Sequence, residues 1–163
     1  MKTLLRTLLF LSLIVWLGAE AFFPVVAATV FGALRPDTHL AGTIVGQLLR
    51  ILHGMGLVAG MVGMAALALS SAKGIYRARG VLAPAALLIA MIALTAYSQF
   101  GILPAMEQDR VAAGGAVDLA DPANPARLDF KRLHERSEQL EGLILLLGLA
   151  TVVLIAKEES ARG

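Results

Sequence analysis

The chain contains no cysteine among its 163 residues. That absence excludes disulfide bonds, thiolate metal sites and cysteine nucleophiles. Charged residues are scarce, at 16% of the chain, against about 25% in ordinary soluble domains. The net charge is only +2 and the basic residues are scattered, so the composition predicts no nucleic-acid partner.

Apolar residues are correspondingly abundant. They make up 58% of the chain, and the mean hydropathy is +0.76. A soluble domain of this size could not bury so much apolar surface, whereas a lipid bilayer accepts it. The composition therefore predicts an integral membrane protein whose main partner is the lipid bilayer.

Four segments are long and apolar enough to cross a hydrocarbon core about 30 Å thick, which takes roughly 20 residues of helix. They are residues 8–34, 40–72, 82–105 and 139–156. Inside lipid each segment must satisfy its own backbone hydrogen bonds, so each is predicted to be helical. The predicted fold class is an all-α integral membrane four-helix bundle that forms one domain over residues 1–163.

The longest polar stretch, residues 106–138, separates the third segment from the fourth. Its first part, EQDRVAAGGAVDLADPANPA, is typical of an exposed irregular loop. Residues 127–141, RLDFKRLHERSEQLE, have the pattern of an amphipathic helix. No Gly or Pro interrupts the chain before Gly142, so we expect an amphipathic outer helix that leads into the fourth span.

The charge distribution predicts a multi-pass protein of the inner (plasma) membrane with both termini in the cytoplasm. Short cytoplasmic loops carry an excess of Lys and Arg. The basic residues of the two termini and of the loop after the second segment are Lys2, Arg6, Lys73, Arg77, Arg79, Lys157 and Arg162. Acids outnumber basic residues in the predicted outer stretch. AEA at residues 19–21 resembles a signal-peptidase site, but the apolar run continues beyond it, so we expect the first helix to be retained.

Arg50 and His53 interrupt the apolar run of the second segment, in GQLLRILHGMG. An arginine at the bilayer centre costs roughly 2.5–3.5 kcal/mol and therefore needs a partner. Glu20 is the acid of the first segment, and the rise of a helix places it at a depth similar to that of Arg50, so we predict an ion pair. Such a pair could serve a ligand or could simply fix helix register. Close helix approach is predicted at two small-residue pairs, Gly42 with Gly46 and Gly56 with Gly60.

A second group of polar residues lies near the predicted outer ends of the third and fourth helices. It includes Ser98 and Glu138, and His134 shares a helix face with Glu141 seven residues later. Together with the intramembrane charges, this group predicts a polar cavity that opens outward above an apolar floor. The predicted ligand-binding residues are Glu20, Arg50, His53, Tyr97, Gln99, His134, Ser137 and Glu141.

Two stretches of the sequence resemble a known family. FKRLHERSEQLEG (residues 130–142) and WLGAEAFFPVVAATVF (residues 16–31) are similar to a bacterial four-helix membrane domain-of-unknown-function family related to eukaryotic transmembrane protein 205. The pattern Phe-x-x-Leu-His-x-x-Ser is its most specific piece, here Phe130, Leu133, His134 and Ser137. An Asn often follows four residues later in that family, where this chain has Glu141. The resemblance implies the fold and assigns no reaction.

Three classes of function are compatible with these features. The first is a protein that binds or transports a small polar ligand or ion in the polar cavity. The second is a haem- or metal-binding protein, with His53 and His134 as candidate ligands. The third is an accessory or structural subunit of a larger membrane complex, or a homo-oligomer. No nucleophile–base pair, phosphate loop or HExxH motif is present, so the sequence predicts no enzyme and requires no cofactor.

Overall fold

Helices account for nearly all of the structure. In the computed structural model, which describes residues 1–161, the α-helices are α1 (Lys2–Ala33), α2 (Thr38–Ala72), α3 (Leu82–Tyr97), α4 (Leu103–Ala112) and α5 (Pro125–Ser160). A π-helical turn, Ser98–Ile102, joins α3 to α4, and a short 3-10 helix covers Val117–Leu119. Arg162, one of the basic residues used to predict orientation, lies outside the described residues.

Four helices of the described chain are long and apolar enough to cross a membrane: α1, α2, the continuous helix Leu82–Ala112, and α5. The predicted all-α membrane bundle is therefore confirmed. The amphipathic stretch and the fourth span form one uninterrupted helix, α5, as expected. The third helix runs further than predicted, to Ala112, because MEQDRVA contains good helix formers and the positive-φ glycines begin only at Gly114.

The contact between α1 and α2 depends on small residues in α2. Trp16 of α1 lies directly over Gly56 and Gly60. A Cβ atom added to Gly60 would lie 2.6 Å from Trp16 Cζ3, and one added to Gly56 would lie 2.5 Å from Trp16 Nε1. The predicted close approach therefore occurs at this pair. Gly46, by contrast, has no neighbouring atom within 4 Å of the position that a Cβ atom would take, so the predicted pair of Gly42 and Gly46 does not mediate close contact.

Polar contacts tie three parts of the chain together at the end of the bundle where α1 begins and α5 ends, here called the terminal end. Arg6 Nη2 lies 3.0 Å from Glu159 Oε2, and the Tyr76 hydroxyl donates to Glu159 Oε1 at 2.5 Å. The Arg77 backbone N–H donates to Glu158 Oε1 at 3.0 Å. These five residues form the terminal-end network, which fastens α5 to α1 and to the α2–α3 loop. The α1–α2 turn and the segment between α4 and α5 lie at the opposite, loop end.

Candidate functional site

His53 of α2 lies at the centre of a group of polar side chains inside the bundle. Its side chain is fully buried, with 0% exposure. Its Nδ1 atom lies 3.1 Å from Gln99 Oε1, and its Nε2 atom lies 2.8 Å from Glu141 Oε1. A charged imidazolium would donate to both oxygens. A neutral ring protonated at Nε2 would donate to Glu141 and accept a hydrogen bond from the Gln99 amide, with the amide turned over.

The π-helical turn between α3 and α4 supplies two members of this group. The Leu103 backbone N–H donates to the Ser98 carbonyl, five residues earlier, which widens the helix at this point. Pro104 has no N–H to donate and its ring crowds the preceding turn, so it favours the departure from α-helical bonding. The wider turn brings adjacent residues to the site, since Gln99 contacts His53 while the Ser98 hydroxyl donates to Glu141 Oε1 at 3.2 Å.

Glu20 brings a second carboxyl group to Glu141. It is only 5% exposed, and Trp16 Nε1 donates to its Oε1 atom at 3.3 Å. The Glu20 and Glu141 carboxyl groups lie close enough for each to act electrostatically on the other. Within the described residues, no donor reaches the buried Glu141 Oε2 atom. We call the five residues of this site the buried polar cluster: Glu20, His53, Ser98, Gln99 and Glu141.

Arg50 does not belong to this cluster, and the predicted Glu20–Arg50 ion pair is wrong. Arg50 is exposed, and no ion pair joins it to Glu20 in the described chain. The charge that Arg50 influences is Glu107 of α4. Arg50 precedes His53 by three residues, which places it about 60° around the helix from the buried histidine. The prediction used only the similar depth of Glu20 and Arg50 in the membrane. Depth alone does not determine whether a side chain points into the bundle or away from it.

The remaining predicted residues divide between the surface and the interior. His134 is exposed, stacks on Phe130 and lies 3.3 Å from Glu138 Oε1, so it takes no part in the cluster. Tyr97 is 53% exposed. Ser137 is buried on α5, one turn before Glu141. The structure therefore brings together Glu20, His53, Gln99 and Glu141 from the predicted set.

Ser98 of the cluster and Trp16, which donates a hydrogen bond to it, were not among the predicted ligand-binding residues. Ser98 was recognised only as part of a polar stretch, because Pro104 indicates a local rearrangement of backbone hydrogen bonds but not the π-helical turn that aims Ser98 inward. Trp16 was missed, although its spacing of four residues from Glu20 places both side chains on one helix face. A tryptophan N–H beside a buried carboxyl is a common way to satisfy both groups.

The donor atoms do not fit the haem or metal hypothesis. Both ring nitrogens of His53 already have protein partners, and His134 lies on the surface beside Glu138. Across residues 1–161, no group of three or more His, Asp or Glu side chains has an arrangement that could hold a metal ion. The groove between α1 and α2 is also apolar, since it is lined mostly by Leu8, Leu11, Val15, Met55, Val58 and Val62.

Four apolar membrane-length helices around a buried polar cluster define a multi-pass α-helical membrane protein. Within that class, the chain belongs to the family described as Domain of unknown function (DUF4149), whose model matches residues 11–113. No curated protein and no solved structure matches the chain. The matched region contains Glu20, His53 and Gln99, whereas Glu141 is supplied by α5, beyond the match.

Proposed function

We propose that the protein binds and exchanges a small cation, in the simplest case a proton, at the buried polar cluster, and that this exchange couples to transport across the membrane. One observation carries the proposal. Two carboxyl groups, those of Glu20 and Glu141, interact electrostatically inside the bundle, and the buried Glu141 Oε2 atom has no hydrogen-bond donor in the described structure.

Electrostatics explains why such a pair needs a cation. Two like charges 4 Å apart repel by about 4 kcal/mol at an effective dielectric constant of 20. A shared proton removes that repulsion and supplies the missing donor, as in other carboxyl pairs that occupy one site. Ionisable groups within membrane helices are rare and commonly mark ion pathways or proton relays.

Each member of the cluster has a role in this proposal. Glu141 holds the proton together with Glu20. His53 can pass a proton from Nε2 to Glu141 Oε1 along their 2.8 Å contact, while Ser98 and Gln99 orient the two groups. The carboxyl groups favour a cation over an anionic ligand. Arg50, Tyr97, His134 and Ser137, also predicted to bind ligand, lie outside the cluster in this proposal.

Two further features of the protein are part of the proposal. We place both termini in the cytoplasm and the loop end outside, in the inner membrane, because the terminal end carries the excess of Lys and Arg. The Phe130, Leu133, His134 and Ser137 pattern supports a relation to transmembrane protein 205. In this chain His134 and Phe130 form a stacked pair on the surface of α5.

The single tryptophan of the chain, Trp16, provides a direct test because its indole N–H contacts Glu20. We expect the fluorescence of the purified protein in mild detergent to titrate with pH as the carboxyl pair gains or loses its proton. Glu141→Gln and Glu20→Gln should each abolish or displace that titration. Glu138→Gln, on the exposed face of the same α5 helix, should leave it unchanged.

The same variants in proteoliposomes should show whether proton exchange accompanies movement of protons across the membrane. A fluorescence signal that is flat across the pH range, or identical in the wild type and both glutamine variants, would overturn the proposal. Co-purification in fixed ratio with a larger complex, combined with a flat titration, would favour the accessory-subunit function instead.

A further inference from the structure

We propose a second binding site, at the loop end of the bundle, for the phosphate group of an anionic molecule. It is formed by four charged or titratable side chains on α2 and α4, called here the loop-end charged cluster: His39, Arg50, Glu107 and Arg110. Nothing in the buried polar cluster takes part in it.

Arg110 is the fixed part of this site. Its Nη2 atom donates to Glu107 Oε1 at 2.6 Å and its Nε atom donates to Glu107 Oε2 at 2.8 Å, a two-pronged pair within α4. Its Nη1 atom lies 3.3 Å from His39 Nδ1, at the beginning of α2. The guanidinium group is thus held in one orientation between the two helices, with Glu107 already neutralised by it.

Arg50 adds a second positive charge to this cluster without a direct partner in the described structure. It is exposed, it acts electrostatically on Glu107, and it forms no hydrogen bond or ion pair with residues 1–161. One carboxylate and two guanidinium groups give these four side chains a net charge of +1. An anion would complete the charge balance.

The depth of Arg50 indicates where that anion would lie. Helix α2 has 35 residues and is about 52 Å long, so roughly 11 Å would extend beyond each side of a 30 Å hydrocarbon core. Arg50 follows the start of α2 by about 18 Å, which places its backbone about 7 Å inside that boundary. Side chains on a helix tilt toward its N-terminus, and arginine extends its charge toward the interface, so the guanidinium reaches the level of lipid headgroups.

A phosphate group is the anion that best suits this position. Guanidinium groups bind phosphate oxygens through two parallel hydrogen bonds, and lipid phosphates lie at this depth. Basic pockets between membrane helices are known sites for anionic lipid headgroups. The same chemistry would also accept the phosphate of a soluble molecule arriving from the aqueous side.

Thermal unfolding in nanodiscs can distinguish these sources. We expect the unfolding midpoint to be higher in three parts phosphatidylcholine to one part phosphatidylglycerol than in phosphatidylcholine alone, because binding to the folded state stabilises it. In a second arm, inorganic phosphate is added to the phosphatidylcholine sample at matched ionic strength. A shift with lipid only identifies a headgroup site, and a shift with free phosphate identifies a site for soluble phosphates; either supports the proposal.

The decisive variant is Arg50→Gln, which should fold because Arg50 makes no internal hydrogen bond. It should lose at least half of the ligand-dependent shift. Arg136→Gln removes the same charge from an exposed position on α5 and should keep the shift. Equal losses in the two variants would show a general charge effect, and the absence of any shift in both arms would show that no such site exists; either result overturns the proposal.

Discussion

Tyr76 is a nearly buried phenol, 2% exposed, whose hydroxyl faces a carboxylate. Burial raises the pKa of Tyr76 above its usual range, and the hydrogen bond to Glu159 raises it further. A pKa that is higher in the folded state than in the unfolded state means that folding favours the neutral phenol. The resulting stabilisation is complete below the unfolded pKa of about 10 and is lost as the pH rises through the folded pKa.

Replacing Tyr76 by Phe tests this contact. A hydrogen bond to a charged group contributes about 1.5–3 kcal/mol, so Tyr76→Phe should lower the free energy of unfolding by about that amount near neutral pH. The difference from the wild type should shrink above pH 10. Unfolding by denaturing detergent, measured at several pH values, provides the comparison. Tyr97→Phe, at an exposed tyrosine, should have no effect, and a Tyr76→Phe deficit that grows with pH would contradict the assignment.

At the residue level, sequence reasoning recognised which groups lie inside the membrane but not which of them meet. Glu20 and His53 do belong to one site, whereas Arg50 turns to the bundle surface. The deciding quantity is the angle around each helix axis, and tertiary packing sets it. The buried stripe of α2 passes through Gly56, Gly60 and Gly63, where α1 packs closely, and this stripe includes His53 but not Arg50.

Among the helices, α1 and α2 have the most extensive contact. Glycines in α2 allow the two helices to approach closely. Because lipid offers no hydrophobic driving force for helix association, close van der Waals contact across small residues is the main attraction. Trp16 fills the space over Gly56 and Gly60, and the same indole donates to Glu20. The packing of this helix pair therefore also positions one carboxyl group of the buried polar cluster.

A single methyl group at Gly60 should disturb both the packing of α1 against α2 and the position of the Trp16 indole that donates to Glu20. It would lie 2.6 Å from Trp16 Cζ3 and 2.8 Å from Ile92 Cγ1, and overpacking of this kind typically costs about 1–3 kcal/mol. Gly60→Ala should therefore lower the unfolding free energy and alter Trp16 fluorescence. Gly54→Ala is the matched control, because no atom lies within 4 Å there and alanine is the better helix former. A Gly60→Ala variant as stable as Gly54→Ala would show that the contact is loose.

The π-helical turn illustrates an element that periodicity cannot reveal. A hydrophobic pattern reports an average of 3.6 residues per turn, and one widened turn hardly changes it. Pro104 was a usable signal, since a proline inside an apolar helix forces a local rearrangement of backbone bonds. Which rearrangement occurs depends on neighbouring helices, here on the contacts of Ser98 and Gln99 with α5 and α2.

For the whole molecule, length and hydropathy sufficed to predict four membrane helices, because a bilayer imposes the same requirement on every segment that crosses it. The side of the membrane on which each end of the bundle lies depends on the distribution of Lys and Arg between the two ends. The absence of cysteine from the chain makes this orientation simple to measure.

Single cysteines at Ala78 and Ala123, both exposed, report on the two ends of the bundle. With both termini in the cytoplasm, a membrane-impermeant thiol reagent added to intact cells should label Ala123→Cys and not Ala78→Cys. Both should react after the cells are opened. Labelling of position 78 alone in intact cells would reverse the orientation and place the loop-end charged cluster on the cytoplasmic face.

Helix α5 is a rigid rod about 54 Å long, well beyond the roughly 30 Å of hydrocarbon that it must cross. One of its ends is fastened through Glu158 and Glu159, and the other, at Pro125, stands at the opposite face. Glu141 lies about 27 Å from the fastened end and Pro125 about 51 Å. If the rod tilted about its fastened end, Glu141 would move by about half the displacement of Pro125, because displacement grows in proportion to the distance from that end.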